Sequence, residues 1–127
     1  MSYMAIYRLK DTDENVERRF MNMESLKHFG LIPRFWDYKK IYEEESFQYR
    51  NTTVNTLENI FVLFNRDSGP VPEGFNPHHS LSVGDVVVLE DSAYFCDSFG
   101  WKEWRYFYHA LKGDWKAAIA AFNEEAL

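Results

Sequence analysis

The chain has 127 residues, 46% hydrophobic and 27% charged, with a formal charge of −6 at pH 7, the size and balance of a single globular domain spanning residues 1–127 and too short for two cores. A negative field repels phosphate backbones at long range, so direct binding to duplex DNA or RNA is not expected, while an acidic surface suits a basic protein partner that itself handles nucleic acid. The opening Met1-Ser2-Tyr3-Met4-Ala5-Ile6-Tyr7 has no basic region ahead of a long apolar run, and Cys96 is the single cysteine, so neither a secretory signal, a membrane span nor an internal disulfide is expected and the reading is cytoplasmic.

Taken in chain order, Tyr3 to Leu9 has apolar residues on both alternating faces and reads as an inner strand. A polar turn, Asp11 to Asn15, leads to Arg18-Arg19-Phe20, read as a short resumed strand. Asn22 is placed to cap a helix from Met23 to Phe29, with Gly30 as its left-handed terminator and Pro33 preventing continuation. Tyr38 to Glu43 reads as a strand and Glu44 to Val54 as a polar loop. Asn55 and Glu58 have capping-box spacing, and Leu57, Ile60, Phe61 and Phe64 form a helical apolar stripe.

Residues 65–79 hold three prolines and two glycines and read as a long loop. Asp85 to Glu90, a turn at Asp91-Ser92, and Ala93 to Asp97 form a central hairpin. The segment from Trp101 to His109 fits strand and helix spacing alike. Gly113-Asp114 then introduces a terminal helix with Trp115, Ala118, Ile119 and Phe122 on one face. The order implies an α+β domain with about three helices on a mostly antiparallel sheet.

Candidate chemistry is sparse. His78-His79 with Cys96 and Asp97 are zinc-ligand types, but adjacent histidines diverge and no second Cys or His has the usual spacing, so no metal is expected. Cys96 paired with a histidine would be a nucleophile, yet a strand position beside Asp97 favours a buried thiol. Asp85 and Asp97 flank the hairpin and could form an acid/base pair with His79, a hydrolase or nuclease reading; turn-amide binding by each carboxylate is the simpler role. No phosphate-cradling glycine loop is present, and no cofactor is expected.

Eleven Phe, eight Tyr and four Trp exceed what a domain this small hides, so some rings should be exposed and mark a partner surface. Trp101, Trp104, Tyr106, Tyr108 and Trp115 form the densest aromatic stretch, interleaved with Lys102, Glu103 and Arg105. Residues 1–64 carry nine Lys/Arg against ten Asp/Glu, and residues 65–127 carry five against ten. The acidic excess therefore lies in the C-terminal half. The expected partner-binding residues are Asp85, Glu90, Asp91, Asp97, Trp101, Glu103, Trp104, Arg105 and Tyr108.

Four blocks resemble the YodL-like domain, a small family found in proteins of bacterial conjugative elements, plasmids and related mobile DNA. They are Met4 to Lys10, Leu57 to Phe61 with Phe64-Asn65, His79 to Leu89, and Ala93 to Trp101. The resemblance covers about residues 4–104 and leaves 105–127 as a C-terminal helical extension. It implies context more than mechanism: a non-enzymatic accessory or anti-defence factor, such as an anti-CRISPR or anti-restriction inhibitor. Such a factor would bind a basic nucleoprotein effector. A self-associating module of conjugation machinery, working as a homodimer, is a further expectation.

Overall fold

The computed structural model describes residues 2–47, 52–65, 71–76 and 80–126. Strand β1 (Ser2–Leu9) sends Met4 and Ile6 to one face and Ala5, Tyr7 and Leu9 to the other, all buried. A strand apolar on both faces belongs inside a sheet. β1 accordingly pairs antiparallel with β2 (Tyr38–Phe47) on one side and β3 (Val86–Leu89) on the other. β4 (Ser92–Asp97) and β5 (Gly100–Glu103) complete a five-stranded antiparallel sheet in the order β2-β1-β3-β4-β5.

Two apolar clusters fill the two faces. One face packs against α1 (Met23–His28), α3 (Arg105–Leu111) and α4 (Trp115–Glu125) through Met23, Leu26, Phe107, Ala110, Ala118 and Ala121. The other is covered by α2 (Thr53–Leu63), whose Leu57 and Ile60 join Phe64, Phe75 and Leu81 over Met4, Ile6 and Val87. The architecture is α+β with four α-helices among the described residues, and α3 and α4 belong to the same core as the sheet.

Helix ends follow the capping chemistry. The Asn22 side chain accepts from the Ser25 amide at 2.8 Å, and beyond α1 the Gly30 and Leu31 amides donate to the Lys27 and Leu26 carbonyls, with Gly30 at φ +67°. At α2 the cap is Thr52, accepting from the Asn55 amide at 3.0 Å. Asn55 itself is therefore inside the helix, because Thr52 three residues earlier already satisfies that free amide.

Two other expectations are corrected and one open reading is resolved. Arg18 to Phe20 form turns and no strand; Arg18 instead donates to the Leu31 carbonyl and to Asn15, and Phe20 has φ +62°. β2 continues through Glu44 to Phe47, because its outer edge faces solvent and tolerates charge. The aromatic stretch 101–109 divides at Trp104, with β5 ending at Glu103 and α3 beginning at Arg105.

Candidate functional site

Two irregular strand segments shape the end of the sheet where β1 finishes. In β2, Ile6 pairs with Tyr42 and Tyr7 with Lys40, so Ile41 bulges and Lys39 lies opposite Arg8 on the same face. Ahead of β3, the Gly84 amide donates to the Cys96 carbonyl and the Cys96 amide donates to the Asp85 carbonyl, two residues opposing one. Gly84, at φ +99°, also occupies the third position of a turn closed by the Asp85 amide on the Ser82 carbonyl. That conformation is one glycine reaches at low cost.

The second bulge aims the Asp85 carboxylate at Arg8. The Arg8 Nε donates to Oδ1 at 3.1 Å and Nη2 to Oδ2 at 2.8 Å, while Nη2 also donates to the Ser80 carbonyl. Oδ2 of Asp85 further accepts from the Ser82 amide at 2.9 Å. The two side chains are 18% and 6% exposed, so this is a largely desolvated bidentate ion pair. It forms part of the wall of a cavity of about 510 Å³ that Leu9, Arg19, Phe20, Lys39, Ile41 and Phe75 also line.

The residues expected to bind a partner fall into separate environments. Asp85 is buried in the pair just described, and Trp104 is 1% exposed, packed against Phe95, Tyr38 and Phe107; neither presents its side chain to a partner. Burial decides both, since the bulge draws Asp85 inward and Trp104 sits where β5 turns under α3. Asp97 accepts from the Ser98 amide at 2.9 Å and the Met23 amide at 3.4 Å. Asp85 and Asp97 thus serve different partners and form no acid/base pair with each other. His78 and His79 lie outside the described residues.

Trp101 and Tyr108 are partly buried against the two clusters, and Arg105 pairs with Glu124 at 2.7 Å. Burial, with the charges of Asp85, Asp97 and Glu58, pushes the Cys96 thiol up to about 12. It is held as a neutral thiol rather than an activated nucleophile. Among the described residues no group of three or more His, Cys, Asp and Glu side chains could hold a metal ion, and no helix is long and apolar enough to cross a membrane.

Glu90, Asp91 and Glu103 are exposed together at the opposite end of the sheet, the first two in the β3–β4 turn and the third at the end of β5. The register adds Glu43, Glu44 and Glu45 from β2, since Met4 pairs with both Glu44 and Leu89. Lys40 and the Tyr3 hydroxyl both donate to Glu43, which holds its carboxyl below the usual range. Four inter-strand steps make this acidic edge about 19 Å wide.

A family model for the YodL-like domain matches residues 3–107. The chain belongs to the YodL-like domain family. No curated protein and no solved structure matches it. The YodL-like match runs from β1 into α3, so the bulges, the Arg8–Asp85 pair and the acidic edge all lie within it. The remainder of α3 and all of α4 lie beyond the YodL-like segment, yet Ala110, Ala118 and Ala121 enter the same core.

Sequence reasoning missed Lys39, Arg19 and Phe20 as cavity residues. Their neighbours come from β1, β2 and the Ser80–Asp85 turn, contacts that no local pattern encodes. The one available signal was Phe20 itself, a large apolar residue in a polar run, 73% exposed.

Proposed function

We propose that this YodL-like protein acts by binding rather than by catalysis, presenting its acidic sheet edge to a basic surface on a nucleic-acid-handling protein. The observation that carries this reading is the register: Glu43, Glu44, Glu45, Glu90, Asp91 and Glu103 come from three separate segments and meet at one end of the sheet. Their spacing along an edge about 19 Å wide gives them a common direction of approach toward a positively charged face. The expected setting is a bacterial mobile element. There an inhibitor of a restriction or CRISPR effector would cover the surface that otherwise grips DNA or guide RNA.

The hydrolase reading draws little from the geometry, because Asp85 is engaged by Arg8 and the Ser82 amide while Asp97 accepts from two other amides, so the two carboxylates serve separate partners. Strand-to-strand self-association is opposed on β2 by its bulges and its run of glutamates.

The deciding experiment is capture by tagged protein from a bacterial host carrying restriction and CRISPR systems, with and without nuclease treatment. It is paired with the variant E43K/E45K/E90K/D91K/E103K. One nuclease-resistant stoichiometric partner that the variant fails to capture supports the reading. A partner retained by the variant, or none with folded bait, overturns it.

A further inference from the structure

The cavity at the other end of the sheet is independent of the acidic edge, and three departures from regular backbone converge on it. Ile41 is bulged from β2, Gly84 and Asp85 oppose Cys96 in a second bulge, and Phe20 holds φ +62°. Left-handed backbone is costly for a bulky residue, and such strain concentrates where a side chain is being aimed. The Phe20 ring receives little burial in exchange, being 73% exposed at the cavity wall. Gly84 lies directly beneath that turn, since a Cβ on Gly84 would sit 3.9 Å from the Phe20 amide nitrogen.

The charges are equally unusual. Arg8 and Lys39 are directly cross-strand, a like-charge arrangement that destabilises a sheet unless an anion is near. Asp85 answers Arg8, and Asp11 pairs with Arg19. Lys39 is exposed and makes no ion pair or side-chain hydrogen bond among the described residues. The lining therefore carries Arg8, Arg19 and Lys39 against Asp11 and Asp85, a local positive excess in a chain of charge −6.

We propose that this cavity binds a small anionic ligand bearing a flat ring, of the nucleoside monophosphate class. Phe20 supplies the stacking face, Phe75 and Ile41 the apolar wall, and Lys39 with Arg19 the cations for the phosphate. The volume of about 510 Å³ lies within the range of about 300–1,000 Å³ typical of small-molecule pockets. Arg8 is held by Asp85 and Arg19 is paired with the exposed Asp11, so Lys39 is the cation that a phosphate would meet first, with Arg19 reaching it by exchanging Asp11 for the ligand.

The test is calorimetric titration of the folded full chain with AMP at low salt, with adenosine and inorganic phosphate as separate arms and GMP, CMP and UMP for base preference. Saturable one-to-one binding of a nucleotide is expected, with Phe20→Ala and Lys39→Gln each weakening it about tenfold. Both residues are exposed, so the variants should keep the wild-type circular dichroism. Adenosine and phosphate alone should each bind at least about tenfold more weakly than the nucleotide. No saturable binding of any of the four nucleotides up to about 10 mM, phosphate binding as tightly as AMP, or affinity indifferent to both variants would overturn the proposal.

Discussion

Among single side chains, Asp85 has the most at stake, because its carboxylate serves a turn amide and a guanidinium at once. Removing one partner of a desolvated pair strands the other charge, so Asp85→Asn is expected to lower unfolding free energy by about 3 kcal/mol, read from urea midpoints. The double variant Arg8→Met/Asp85→Leu should recover most of that loss, since no charge is then left unpaired. A double variant no more stable than Asp85→Asn would show that the pair also sets the local backbone. The turn-binding half of this role was legible in the sequence, because Asp after Ser-Val-Gly is a local pattern. Arg8 was not, standing 77 positions away and brought close only by β1–β3 pairing.

At the scale of elements, α3 and α4 depend on one another through their ends. Trp104 precedes α3 and offers no capping side chain, so Glu125 from the last turn of α4 accepts from the Arg105 and Tyr106 amides at 2.8 and 2.9 Å. Glu125→Ala is expected to cost about 1 kcal/mol, the value of a lost helix cap. Hydrogen exchange should quicken first at Arg105 and Tyr106, whereas uniform quickening along both helices would assign Glu125 a wider role. Caps within one segment could be read from sequence, as Asn22 was. The Glu125 cap could not, and without it the aromatic run 101–109 gave no sign that a strand stops before Trp104 and a helix begins after it. Trp104 follows the same rule: its burial comes from Phe95, Tyr38 and Phe107, residues of three different elements.

For the molecule as a whole, the buried acids set an alkaline limit. Burial, reinforced by neighbouring carboxylates, raises Cys96 from 9.0 to about 12 and Tyr42 from 10.0 to about 12, and pushes Tyr38 well above its ordinary value. Each group keeps its proton in the folded state where the unfolded chain has lost it. Their contribution is therefore complete below about pH 9 and is lost as pH climbs toward 12. Denaturant midpoints should fall through that window, and Cys96→Ala should remove the part of the loss that begins nearest 9; an unchanged slope would show that the thiol is not coupled to folding. The strand order adds a condition on how the molecule is made. β1 must wait for β3, whose Leu89 pairs with Met4, and at 5–20 residues per second the ribosome needs roughly 4 to 16 s to supply the stretch between them. Through that interval β2 can pair with only one side of β1, leaving Met4-Ala5-Ile6 with an open hydrogen-bonding edge, although α1 and α2 are already available to cover its two apolar faces. A newborn chain is thus exposed to wrong strand pairing along one edge of β1 until β3 emerges.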